Sequence, residues 1–260
     1  MKNSKNHIIY SPSDLANFIN CKHLTELEKK KARKEIDEPE MRYNPSLEAL
    51  KEKGIAFEQD HLAELKAKGL DIVEIDGENR TKAEQNTLEA MHRGADVIYQ
   101  ARLKTDRWAG WGDFMIKTDK KSELGDWSYE VWDTKLATNT KAGNLLQIGL
   151  YTQRIAEIQG QDPEFMGVIK PDGKEIFRYH DYAAYIRLVQ QRLEEALLTD
   201  ADTYPQPVSH CDICKWWKLC NAQRRADDHL TFVAGMGKSQ IVELRQQNID
   251  TLAKLAELPN

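Results

Sequence analysis

Gly110-Trp111-Gly112-Asp113-Phe114 is followed by Y-E-V-W-D-T-K-L-A at residues 129–137 and by L-L-Q-I-G-L-Y at residues 145–151. These runs decide how the chain is read. Asp113 closes one apolar, strand-like run. Asp133 and Lys135 stand two apart in the second, so on a strand their side chains leave the same face. Gln147 and Tyr151 are four apart, on one face of the helix that should follow. Two carboxylates and an ammonium meeting at one spot form a recognisable chemical set. The acids can hold a divalent cation, which polarises a phosphodiester and acidifies a water. The lysine positions that water or helps to deprotonate it.

Outward from these runs the chain alternates strand and helix patterns. Val97–Leu103 and Trp108–Lys117 predict antiparallel strands across a K-T-D-R turn, and Tyr129–Leu136 the next strand. Asn144–Gln159 and Tyr182–Leu198 predict helices, with a hairpin between them at the P-D-G turn. Upstream, Leu47–Lys68 predicts an amphipathic helix carrying Gly54 and Glu58. Asp71–Ile75 predicts a strand, and Thr81–His92 a helix capped by Thr81. Near the start, Ser11 or Ser13 can cap a short helix that leads to Cys21. The segment Lys22–Glu40 predicts a helix with a solvated face, its K-K-K-A-R-K run lying on the surface. The fold class expected is α/β, a central mixed sheet flanked by helices.

At 260 residues, 40% hydrophobic and 30% charged, the chain is long enough for a sizeable core. No apolar run approaches membrane-spanning length, and M-K-N-S-K-N-H-I-I-Y lacks the apolar region of a secretory leader. These features predict a cytoplasmic protein with no membrane partner. A net charge of −5 argues against a globally basic nucleic-acid binder but leaves room for local basic strips.

Cys211, Cys214 and Cys220 form C-x2-C-x5-C, and Cys21 stands alone near the start. In a reducing compartment such a set predicts metal ligation rather than disulfides. Spacing alone does not separate a Zn2+ site from an iron–sulfur cluster, since both accept thiolates. Trp216 and Trp217, between Cys214 and Cys220, would shield such a site from water. Beyond it, G-M-G at residues 235–237 lies between apolar helical segments, similar to a helix–hairpin–helix whose amides approach a phosphate. The rival is a small helical pair that only packs. The domains expected are residues 1–225 and 226–260.

The ordered set Asp113, Asp133-Thr134-Lys135 and Gln147-x3-Tyr151, flanked by one cysteine before and three after, resembles the RecB-like iron–sulfur nucleases of the PD-(D/E)XK superfamily. V-W-D-T-K-L-A and H-L-T-F-V-A-G-M-G are most similar to the branch found ahead of helicase domains. The resemblance runs from Cys21 to Cys220. It implies a restriction-endonuclease-like core, with a [4Fe–4S] cluster on Cys21, Cys211, Cys214 and Cys220 joining the N- and C-terminal segments. It implies Mg2+ or Mn2+ on Asp113 and Asp133, Lys135 as catalytic lysine, and Gln147 and Tyr151 as the supporting pair. It also implies single-stranded DNA as substrate and a helicase, on the same or another chain, as partner in DNA repair or processing.

One position departs from the family. Where these nucleases carry a histidine three residues after the helix glycine, this chain has Phe57. Phenylalanine cannot ligate a cation, so Glu58, the next residue, is expected to complete the site. His61, one turn on, is expected to stay outside it. The enzyme expected is a metal-dependent deoxyribonuclease, an exonuclease on single-stranded ends. The alternative is an inactive DNA-binding or helicase-docking module stabilised by a metal site of four cysteines.

Overall fold

The computed structural model describes residues 1–4, 7–40, 44–199 and 202–259. In chain order the elements are β1 (Lys2–Ser4), β2 (His7–Ile9), α1 (Pro12–Asn20), α2 (Lys22–Ala32), α3 (Pro45–Ala67), β3 (Ile72–Glu74), α4 (Arg80–Arg93), β4 (Val97–Lys104), β5 (Ala109–Thr118) and β6 (Ser128–Thr134). There follow α5 (Ala142–Gln159), β7 (Phe165–Lys170), β8 (Gly173–Arg178), α6 (Tyr179–Leu198), α7 (Trp217–Ala226), α8 (Lys238–Gln246) and α9 (Leu252–Ala256). Contacts divide the chain into Met1–Ile19 with Tyr43–Thr199, and Asn20–Arg42 with Asp200–Asn260.

The first unit is built on a mixed sheet of order β3-β4-β5-β6-β7-β8. β4, β5 and β6 form an antiparallel meander. α5 crosses over so that β7 lies parallel to β6, and β8 returns antiparallel. Both faces are covered. On one, Ile98, Met115, Tyr129 and Val131 pack with Met91 of α4 and Ile155 of α5. On the other, Leu62 and Leu65 of α3 pack against Val97, Phe114 and Trp132. This is the expected α/β arrangement, and its strand boundaries fall close to the predicted ones.

Local sequence explains the helix starts. Asn44 accepts from the N–H groups of Ser46 and Leu47, with Pro45 beginning α3. Asn79 does the same for Thr81 and Lys82, so Asn79, not Thr81, caps α4. At α1, Ser11 donates its backbone N–H and its hydroxyl to Asp14 Oδ2, each at 2.8 Å. Gly94, with φ +79°, ends α4 in the left-handed conformation that a residue without a Cβ adopts readily.

Glu130 of β6 is 9% exposed, and burial raises its carboxyl above the ordinary value of 4.5, partly opposed by the N–H of Phe165. A folded-state pKa raised in this way gives stability that is complete below the unfolded value and lost as pH rises through the folded one. Glu130→Gln should therefore raise the Tm at about pH 8 by a few degrees and leave it unchanged at about pH 4. Equal shifts at both pH values would show that the carboxyl is not the cause.

In the second unit, the expected solvated run is met in part: Lys30, Arg33 and Lys34 are exposed, but the run begins inside the unit. Lys29 is fully buried and pairs with Glu26 at 2.8 Å, and Glu28 is buried as well. Glu28 accepts from Trp216 Nε1 at 2.7 Å and pairs with Lys215 at 2.8 Å. The apolar centre is Leu24, Leu27 and Trp216. The glycine turn is preceded by only a three-residue 3-10 turn, Leu230–Phe232, where a longer helical segment was expected; α8 and α9 follow it.

Candidate active site

The β5–β6 ladder runs from Thr118↔Ser128 to Phe114↔Trp132. The next residues in this register are Asp113 and Asp133, at the point where the two strands part. The N–H of Thr134 donates to Asp113 Oδ2 at 3.0 Å, and its hydroxyl donates to the same oxygen at 3.1 Å. A carboxylate thus replaces the backbone partner that the ladder no longer supplies.

Asp133 is 1% exposed, and neither of its oxygens has a hydrogen-bond partner of good geometry. Its carboxyl is pushed well above the ordinary aspartate value, first by burial and then by the charge of Asp113. Lys135 opposes both effects through an ion pair with Asp133 Oδ2. Lys135 lies just past the end of β6, yet its N–H still donates to Ile169 O at 2.9 Å, so the strand-like path continues. The side chains of Asp133 and Lys135 therefore meet, as their spacing predicts.

Glu58 enters from α3. Its Oε1 accepts from Tyr99 Oη at 2.7 Å and from Gln100 Nε2 at 2.5 Å. Burial raises its carboxyl and the charge of Asp113 adds to the shift, while the two donors oppose it. The ladder partner of Tyr99 is Phe114 and that of Ala101 is Gly112, so the pairing skips Gln100 and Asp113 between them. Gln100 has φ +54° inside a strand, a conformation that costs a non-glycine residue about 1–3 kcal/mol. Side-chain alternation breaks there, since Ile98 and Ala101 join the same apolar cluster. The kink accompanies an amide aimed at Glu58. Tyr99 and Gln100 carry no sequence signal for this role, because a polar residue in a strand reads as ordinary alternation.

Phe57 packs on the cluster of Leu62, Phe114 and Trp132. His61 is buried edge-on against Phe114, with ring centroids 5.1 Å apart, and its Nδ1 faces Glu64 at 3.5 Å. Tyr151 Oη accepts from the N–H of Trp111 at 3.1 Å, fixing the strand that leads to Asp113. A Cβ on Gly110 would stand 2.5 Å from that hydroxyl, so only glycine leaves it room. The Tyr151 phenol is pushed up by burial, then by Asp133. Gln147 lines a cavity beside Tyr151.

In the second unit the thiols of Cys21, Cys211, Cys214 and Cys220 line one small cavity together with Leu24, Leu27 and Trp216. Backbone N–H groups point at two of the sulfurs, Leu24 at Cys21 and Val208 at Cys211, both at 3.4 Å. Burial, then the neighbouring sulfurs, push the Cys220 thiol up to about 12. Cys21, far from the rest in sequence, is therefore their neighbour.

Among the described residues no group of three or more His, Cys, Asp or Glu side chains could hold a metal ion as it stands. This applies to the acids and the thiols alike. The donor types still fit two chemistries. Asp133 offers a buried carboxyl beside Asp113, its Oδ1 without a hydrogen-bond partner and its Oδ2 paired only with Lys135, which suits a hard cation. The cysteine cavity offers soft sulfurs, which suits zinc or iron–sulfur.

No known protein family and no curated protein matches the chain. A solved structure described as "Crystal structure of SSO0001" is 13% identical, covering 85% of this chain and 89% of that one with a TM-score of 0.42, too distant to fix fold or function. Among the described residues no helix is long and apolar enough to cross a membrane.

Proposed function

We propose that this chain is a divalent-cation-dependent deoxyribonuclease that degrades single-stranded DNA ends, working beside a helicase in DNA repair or processing. The observation that carries the proposal is the meeting of Asp113, Asp133 and Lys135 where β5 and β6 part, with the buried Asp133 carboxyl paired to Lys135 through Oδ2 and its Oδ1 without a hydrogen-bond partner. Asp113 and Asp133 would hold Mg2+ or Mn2+, with Glu58 completing the set. The bound cation would supply Lewis acidity toward a phosphodiester and an acidified water. Lys135, with its side chain 30% exposed at the site's edge, orients the attacking water and answers the charge that develops on phosphate oxygens. Tyr99 and Gln100 hold Glu58, and Tyr151 fixes the backbone ahead of Asp113.

The core we assign is restriction-endonuclease-like. The thiols of Cys21, Cys211, Cys214 and Cys220 would hold a [4Fe–4S] cluster, or Zn2+ in its place. Either group would be structural, holding Cys21 to the three downstream cysteines.

The test is Mn2+-dependent degradation of labelled single-stranded DNA by wild type, Asp113→Ala and Glu58→Ala. Wild type should cut, and each variant should lose about 10²-fold or more of the rate. Glu58→Ala should keep a near-native Tm. Equal rates in wild type and Asp113→Ala would remove the nuclease assignment.

A further inference from the structure

A cavity of about 530 Å³ in the first unit has in its wall Gln147, Tyr151 and the strand residues 109–111 that lead to Asp113. Lys2, Arg80 and Arg102 also line it, and no Asp or Glu does among the described residues. In a chain of net charge −5 this is a local excess of positive charge.

Arg102 lies on β4, opposite Trp111 of β5. Its guanidinium lies 5.0 Å from the Trp111 ring and donates through Nη1 to Gly110 O at 3.1 Å. Its Nε is buried and has no partner. The charge of Arg80, at the first residue of α4, acts on it unfavourably. Glu84 is the carboxylate that opposes this, and it also faces Lys104 at 3.7 Å. Two guanidinium groups gathered at a wall without Asp or Glu among the described residues form a receptor for an anion with several acceptor oxygens. The aromatic ring beside one of them adds an apolar surface on which a base can rest.

We propose that this cavity binds the phosphodiester backbone of a nucleic-acid single strand next to the bond to be cut, with Arg80 and Arg102 on phosphate oxygens and Trp111 against a base. The inference rests on the nuclease reading for its substrate. Its occupant is chosen over an acidic peptide because the wall combines two guanidinium groups with an aromatic face and includes Trp111 and Tyr151, which fix the strand leading to Asp113. Guanidinium forks match phosphate oxygens two at a time, whereas peptide carboxylates would leave the ring unused.

The experiment measures anisotropy of a labelled oligothymidylate of about twelve nucleotides, without divalent ions, over a range of salt. The proteins are wild type, Arg80→Gln, Arg102→Met and, as a control on a distant face, Lys66→Gln. Arg80 is exposed, so its replacement leaves the fold unchanged, and a Tm checks Arg102→Met. Each arginine variant should weaken binding about 10-fold and reduce the salt slope by about 0.7, while Lys66→Gln changes neither. Unchanged affinity and slope in both arginine variants would overturn the subsite, as would absence of wild-type binding or equal competition by polyglutamate. Mn2+-dependent cleavage by the same proteins separates the two readings. Cleavage that persists without arginine-dependent binding leaves the nuclease standing alone. Arginine-dependent binding without any cleavage keeps the subsite and removes the nuclease.

Discussion

Asp133→Asn is expected to abolish cation-dependent cleavage while making the metal-free protein more stable. The two effects have opposite signs because one feature causes both. Asp133 is 1% exposed, its oxygens receive no hydrogen bond of good geometry, and Asp113 stands beside it. A buried, poorly solvated carboxylate costs free energy that Lys135 only partly offsets. Asparagine keeps the shape and removes the charge, so the variant should gain roughly 1–3 kcal/mol without metal. Lys135 loses its partner but reaches solvent. Adding Mn2+ should reverse the order. At a concentration near 100 times its Kd, wild type gains about 2.7 kcal/mol and the variant almost nothing. Cleavage should fall by about 10³-fold, since a neutral amide is a poor ligand for a hard cation. Thermal melts with and without Mn2+, beside a single-stranded DNA assay, check both parts. A variant that still shifts with Mn2+, or that is less stable without it, would show that Asp133 is a structural acid and not a ligand.

The sheet and the Asp113–Asp133–Lys135 grouping were legible because both rest on short-range periodicity. Alternation placed Asp133 and Lys135 on one side of a strand, and the meander brought β5 beside β6. Gln147 and Tyr151 were legible from helical spacing. The support of Glu58 was not. Nothing local marks Gln100 as the residue with φ +54°, because its conformation answers to a carboxylate on a distant helix. The cap of α4 was misplaced by two residues. Asn79 and Thr81 are both good caps, and the geometry of the loop before the helix chooses between them.

The lysine-rich run is solvated over Lys30, Arg33 and Lys34, and only Lys29 departs from that reading, for a related reason. A charge run reads as solvated unless carboxylates lie close in space. Here Glu26 pairs with Lys29 one turn away, while Glu28 pairs with Lys215, far along the chain. Only the first of these could be read from spacing. Phe57 was read through the ligand it replaces. Its place in the cluster with Leu62 and Phe114 supplies the bland reason for an apolar residue there, and leaves Glu58 as the polar neighbour facing Asp113.

Where the four thiols hold metal as proposed, replacing Cys21 should release it and lower the Tm by on the order of 10 °C, because one ligand set joins both chain segments of the second unit. Its apolar centre is small, Leu24 and Leu27 against Trp216, and the sulfurs line the same cavity. Small cores of this kind depend on staples. Cys21 also has a second role, since its sulfur caps α2 by accepting from the N–H of Leu24 at 3.4 Å. A cap is worth about 1 kcal/mol, so Cys21→Ala alone mixes two effects. Cys21→Ser separates them. Serine is the better cap but a poor partner for zinc or iron in a thiolate site. If Cys21 ligates metal, both variants should lose iron or zinc and melt early, with serine recovering only the small capping share. If the residue is only a cap, Cys21→Ser should match or exceed wild type in Tm and keep the same metal content. Metal analysis of anaerobically purified protein, with its visible spectrum, then distinguishes the two candidates. Broad visible absorbance lost in both variants identifies iron–sulfur, and a colourless protein that loses zinc identifies the alternative.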